Sequence, residues 1–504
     1  MVAENSSSKD ESMKLLIFIE LASKVMLFGL SITVAKTYGG DKLIDLFAWS
    51  IFLFATLHGW FLGTLDYTIV PILAGFSKEA RNAVGKSIIL LTCCILLILI
   101  SFIFPNFKLI FNFLTSFSPE LVSSFSDSFL YLCIYFFASS VFSVFESILN
   151  QKKIYLIPAA LKGIVNPLLI MIFIYFQQGS IETYAIGYFS SFVVILCILL
   201  LSAYKGRENK QQGYKITQFQ IIKILSIRGY PLLIASILNS VGEILLRYFL
   251  SGFSPGSFFY YSLAQKLALM INSVFGQTII KYGFTEVCDT IVSDKESRNK
   301  VYWATMRCIY IYGCAVTFFV FVISKTLITL VYSGGTISPQ NTQLVLSIFQ
   351  ILILGILPTA FHAFNWKFLS YLNLTKIGMY LALPVTILSG LAYYWAQSPV
   401  ELARTEIFLC LINFGFYSAY VFKKANLILS VRDYLFILYV PAMCVLGLIV
   451  FYALRLVCSG SEITFLFLAS LIFIPMVYFL VSWGRKICPF AFSDFRSFNP
   501  QTQD

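Results

Sequence analysis

Residues Ser23 to Pro71 read SKVMLFGLSITVAKTYGGDKLIDLFAWSIFLFATLHGWFLGTLDYTIVP. Two apolar runs are hinged at Tyr38-Gly39-Gly40, and each is long enough to cross a bilayer, which takes roughly 20 helical residues. Inside them stand Lys24, Lys36, Asp45, His58 and Asp66. An ionisable side chain is costly in hydrocarbon, so helices that keep several of them face a watery cavity. Each also has a plainer reading. Lys36 lies near a helix end, where it can snorkel, and any single charge can be half of a structural pair.

The rest of the chain repeats the pattern. Of 504 residues 59% are hydrophobic and 12% charged, more apolar surface than a soluble protein of this size can hide. The composition predicts an all-α polytopic membrane protein. Apolar segments fall at 13–37, 43–74, 84–105, 127–149, 154–176, 181–204, 228–251, 256–284, 303–332, 341–370, 376–396, 401–422, 431–456 and 463–484, about 14 in all. Segments 8, 9 and 10 are long enough to tilt or kink. The 11 cysteines lie mostly inside apolar runs, at no metal-binding spacing, so neither a metal site nor a disulfide framework is expected.

The net charge of +12 sits in the loops. With the N-terminus in the cytoplasm, even-numbered segments exit to loops carrying Lys78, Arg81 and Lys86, then Lys152 and Lys153, and onward to Arg485 and Lys486. The opposite loops hold little beyond Lys42, Lys108 and Arg455. This asymmetry places both termini in the cytoplasm and accounts for the basic balance without nucleic acid. The expected organisation is a polar cytoplasmic N-terminus (1–12) with no separate cleavable signal, a six-helix lobe (13–204) and a cytoplasmic connector (205–227). A second six-helix lobe (228–422), helices 13 and 14 (423–484) and a cytoplasmic tail (485–504) follow. Glu20 and Lys24 in segment 1, and Glu243 and Arg247 in segment 7, are acid-then-base pairs at i,i+4, which share a helix face.

Several short motifs occur in a fixed order. They are Ser23-Lys24-Val25, Tyr38-Gly39, Asp45-Leu46-Phe47 and Pro71-Ile72-Leu73 in the first two segments. Later come the run from Gly256 to Leu267, the Leu327–Gly335 stretch with Thr342, Leu354-Gly355, and Asn373-Leu374-Thr375-Lys376. In this order they resemble the MurJ-type flippases (the mouse virulence factor family), part of the multidrug/oligosaccharidyl-lipid/polysaccharide exporter superfamily. The resemblance implies a flippase that carries a lipid-linked saccharide of the undecaprenyl pyrophosphate type, lipid II above all, across the bacterial cytoplasmic (inner) membrane for cell-wall synthesis. It further implies alternating access by two lobes about a central cavity, with segments 13 and 14 offering a groove for the lipid tail. Departures from the family pattern fall at Leu30, at His58 and Gly59, at Gln265-Lys266 in place of Asp-Arg, and at Leu269.

Moving a diphosphate through hydrocarbon requires paired cations. Lys24, Arg247 and Lys266 lie in segments that line the cavity of that family, which makes them a candidate head-group clamp. The alternative is internal neutralisation of Lys24 by Glu20 and of Arg247 by Glu243. Glu20, Asp45, His58, Asp66 and Glu243 are cavity or coupling candidates. Asp45 either binds a cation or proton or caps segment 2, and His58 either titrates or is a structural hydrogen-bonder. Glu146, Lys162, His362 and Lys367 read as further structural or cavity charges. No nucleotide-binding Gly-rich loop, metal-spaced His pair or nucleophile elbow is present, so no cofactor and no catalytic residue is expected. The energy source would then be the membrane potential or a monovalent cation. Membrane lipids and cell-wall synthesis proteins are the expected partners. The alternatives are an O-antigen- or capsule-type oligosaccharide flippase, a cation-coupled drug antiporter, and a glycan polymerase or ligase. Segment number argues against the antiporter and short external loops against the polymerase.

Overall fold

The computed structural model describes residues 2–60, 78–151, 154–176, 180–205, 218–272, 295–332, 337–371 and 376–425. The regular elements among them are all helices. Helix α1 (Val2–Tyr38) stops at Gly39, whose φ of 66° and N–H bond to the Ala35 carbonyl (3.2 Å) end the helix in a left-handed turn. The hinge read from the sequence is therefore a real turn, and α2 (Lys42–His58) starts directly after it. Helix α3 (Lys78–Ile103) is followed by two short helices, α4 (Phe107–Leu114) and α5 (Pro119–Ser124). Then come α6 (Ser126–Gln151), α7 (Leu156–Phe176), α8 (Ile181–Lys205) and α9 (Gln218–Ser251). The chain continues with α10 (257–272), α11 (Lys295–Tyr332), α12 (Pro339–Leu354), α13 (Ile356–Tyr371), α14 (Lys376–Tyr394) and α15 (Pro399–Ala425).

Among the described residues six helices are long and apolar enough to cross a membrane, or seven if the bent α12–α13 pair counts as one span. That pair bends by 43° at Gly355, within the segment whose length allowed a kink. Segments 2 and 8 run into undescribed residues, and segments 13 and 14 lie wholly outside the described ones, so the number fourteen remains a reading of the sequence.

The chain forms two compact units, residues 1–262 with 334–337, and residues 263–333 with 338–504. The division falls inside α10, later than the connector at 205–227, because α9 packs on α2 and α3. Residues 206–217 of the connector lie outside the described residues, and 218–227 already belong to α9.

In a bilayer the solvent is as apolar as the helices, so packing geometry rather than the hydrophobic effect holds them together. In the first unit α8 packs chiefly on α6 and α7, and the seams are aromatic. Phe47 stacks on Tyr184 (4.3 Å between centroids), and Tyr38 stacks on the same ring (5.2 Å). Phe54 lies against Phe129 (5.4 Å) and Phe136 (4.9 Å), and Trp49 meets the edge of Phe111 (5.0 Å). Such pairs contribute about 0.5–1.5 kcal/mol each beyond buried area. Helix α4 joins this core by turning Phe107 and Phe111 inward while Leu109 and Phe113 stay exposed. In the second unit Tyr302, Phe364 and Phe368 form the core. The Tyr302 hydroxyl donates to Asn365 Oδ1 (2.6 Å) and Asn365 Nδ2 donates to Ser418 (3.0 Å), tying α11, α13 and α15 together.

Candidate functional site

Asp45 sits in the first turn of α2 and is 3% exposed. Its carboxylate serves another helix. Oδ2 accepts the N–H of Gly256 and Oδ1 that of Phe259, both at 2.7 Å. These are donors at the start of α10, which an anion satisfies while also complementing the helix dipole. Gly256 makes the junction possible. Its φ is +84°, and a Cβ there would stand 2.7 Å from the Gly40 carbonyl oxygen. Asp45 is thus a cap, but for α10 and not for its own helix. The Asp-x-Phe motif then has two jobs: Asp45 fixes α10, and Phe47 fixes α8 through Tyr184.

Arg247 lies on α9 with its side chain only 6% exposed. Its guanidinium is 3.6 Å from the Glu243 carboxylate, so the i,i+4 pair read from the sequence does form. The group is also 4.9 Å from the Phe52 ring centroid, 5.5 Å from Phe258 and 5.8 Å from Tyr261. Aromatic faces stabilise a cation without neutralising it. The arrangement holds a planar cation in place by its flanks, with the half-exposed Glu243 as its anion.

Lys24 is half-buried on α1 in the first unit, and Lys266 is exposed on the part of α10 that belongs to the second. The side chain of Glu20, and Asp66 altogether, lie outside the described residues. His58, at the end of α2, has Nδ1 3.4 Å from the Ser140 hydroxyl and Nε2 3.3 Å from that of Ser143. It bridges α2 to α6, as a structural hydrogen-bonder does.

Two polar contacts had weaker signals in the sequence. Lys162, on a π-helical turn of α7 (Leu161–Val165), donates to Glu146 of α6 at 3.1 Å. In the second unit Gln265 Nε2 donates to Glu406 of α15 at 3.4 Å, beside a cavity of about 80 Å³ that Asn272, Thr359 and Cys410 also line. Gln265 stands where the resemblance leads one to expect an acid, and Glu406 supplies an acid at that place from another helix. The sequence signal for Glu406 was weak, a carboxylate beside Glu401 and Arg404 at the start of segment 12. The second unit also holds an apolar groove of about 520 Å³ lined by Trp303, Met306, Arg307, Phe361, Phe414 and Phe422.

A family model described as the lipid II flippase MurJ matches residues 34–458. A probable lipid II flippase MurJ of Borreliella burgdorferi (strain ATCC 35210 / DSM 4680 / CIP 102532 / B31) is 24% identical over 361 residues, 68% of each chain. The fold is similar to a solved lipid II flippase MurJ in an inward closed conformation. The TM-score is 0.78 at 17% identity, over 94% of this chain and 99% of that one. It is less similar to an inward-facing multidrug resistance transporter of the MATE family, with a TM-score of 0.67 at 13% identity, over 81% of this chain and 98% of that one.

Proposed function

This chain belongs to the lipid II flippase MurJ family, and we propose on that premise that Lys24, Arg247 and Lys266 are the cations that neutralise the substrate's diphosphate during transfer. It is a multi-pass membrane transporter whose substrate is lipid II, a lipid-linked saccharide. Transport runs by alternating access in the bacterial inner membrane with both termini in the cytoplasm. It draws on the membrane potential or a monovalent cation gradient and works beside cell-wall synthesis proteins. The loop charges support that orientation.

One observation carries the clamp. Arg247 is a buried guanidinium held between aromatic faces, with the half-exposed Glu243 carboxylate 3.6 Å away. Arg offers a fork that fits phosphate bidentately, whereas Lys is a point charge. A phosphate that displaces Glu243 meets a cation already in position.

The test is a double-mutant cycle on Glu243 and Arg247, scored separately for membrane abundance and for complementation. Glu243→Gln takes the carboxylate away from the buried Arg247 guanidinium and is expected to lose both. Glu243→Gln with Arg247→Gln removes both charges, so abundance recovers while transport stays lost. Recovery of both would reduce the pair to a structural feature.

A further inference from the structure

We propose that Lys162 is an additional cation for the substrate's diphosphate, held by Glu146 in the empty transporter and released to the phosphate on binding. The inference rests on the flippase reading and adds a residue to it. Lys162 lies on a π-helical turn, Leu161–Val165, a rare form that concentrates at functional sites. The exposed apolar residues farther along α7, Leu168, Ile172, Tyr175 and Phe176, make its lipid-facing stripe. Lys162 is not part of that stripe: its amine reaches across to Glu146 of α6 at 3.1 Å. Yet the Lys162 side chain is 47% exposed and that of Glu146 24%. A charge that open, turned to a neighbouring helix, is the kind that faces a watery cavity.

Its neighbours carry the polar contact inward to the α2–α6 seam. Glu146 follows Ser143 by three residues on α6, the residue that holds His58 from α2 together with Ser140. His58, Ser140, Ser143, Glu146 and Lys162 therefore run as a polar tract from the buried α2–α6 seam out to the half-exposed Lys162. On its other side α1 comes into close contact, since a Cβ on Gly163 would collide with the Ser23 side chain. That contact sets Lys162 and Lys24, each next in sequence to one of its residues, at one level on adjacent helices. Two cations at one level match a group with two phosphates. An exposed ion pair stabilises a fold little, so exchanging Glu146 for phosphate has a small cost.

Binding of lipid II to the full-length protein in nanodiscs tests this, with the melting temperature recorded for every variant. Lys162→Gln is expected to weaken binding about tenfold or more, the loss of one charge-assisted contact. Lys162→Arg retains most of the affinity. Glu146→Gln binds as tightly as the wild type or tighter, because the competitor is gone. If Lys162→Gln melts early, the double variant Glu146→Gln with Lys162→Gln carries the comparison, since it leaves no unpaired charge, and it too binds weakly. Wild-type affinity in Lys162→Gln or in the double variant overturns the proposal alone. So does a loss in Glu146→Gln equal to that in Lys162→Gln. Failure of the wild type to bind lipid II overturns the flippase reading itself, and this proposal with it.

Discussion

Asp45 shows how a residue's chemistry is legible in a sequence while its partner is not. Periodicity and motif mark it as an acid in the first turn of a membrane helix, where a coupling ion or a cap is equally reasonable. Its actual partners, the N–H groups of Gly256 and Phe259, lie 211 and 214 positions away, and no local pattern encodes that distance. The geometry predicts a stability role. Asp45→Ala leaves two buried donors without an acceptor, a loss of about 2 kcal/mol. Asp45→Asn keeps one acceptor oxygen and is expected to melt between the two. Thermal melting of the purified variants checks the order. A transport defect in Asp45→Asn with an unchanged melting temperature would instead make Asp45 a coupling residue. Arg247 and Glu243 were the opposite case: an i,i+4 spacing specifies the neighbour, and the ion pair forms as read. The rings around Arg247 come from α2 and from residues 258 and 261, and spacing could not supply them.

Among the elements, apolar runs bounded by charge and glycine locate most helix C-termini to within a few residues, whereas α1, α3, α9 and α11 begin before their apolar runs, at Val2, Lys78, Gln218 and Lys295. Segment 12 was expected at 401–422 and the helix spans Pro399–Ala425. Three features escaped that reading for physical reasons. Helices α4 and α5 are too short to span and so gave no transmembrane signal, although Phe107 and Phe111 at i,i+4 carry an inward face. The π turn in α7 leaves the apolar run unbroken and changes only which side each residue takes. The start of α10 depends on a tertiary contact through Gly256. Gly256→Ala places a Cβ in a left-handed conformation against the Gly40 carbonyl and is expected to destabilise the fold by about 1–3 kcal/mol. Its melting temperature should fall at least as far as that of Asp45→Ala, because both substitutions break one junction. A melt equal to wild type would show that the α10 turn tolerates a side chain.

For the whole molecule, composition alone indicates a polytopic helical protein, and the ordered motifs indicate the family whose model matches residues 34–458. The proposed orientation, with both termini cytoplasmic, is read from the loop charges. It predicts that cysteines placed at Ser254 and Ser338, in a background without the native cysteines, react with an impermeant thiol reagent added outside intact cells. A cysteine at Lys210 is expected to stay protected until the membrane is opened. Labelling at 210 but not at 338 would invert the topology.

A lipid II flippase moves its substrate from the inner to the outer leaflet, and depletion reads that movement in cells. The direct measurement uses cells whose only such flippase is this chain under repressible control. Lipid II in the outer leaflet is read by its cleavage with a water-soluble enzyme added outside that cuts its diphosphate linkage. As the chain is depleted, the cleavable fraction is expected to fall while total lipid II rises, and re-expression of wild type but not of Arg247→Gln should restore it. A cleavable fraction that stays constant after the chain has disappeared would contradict that function.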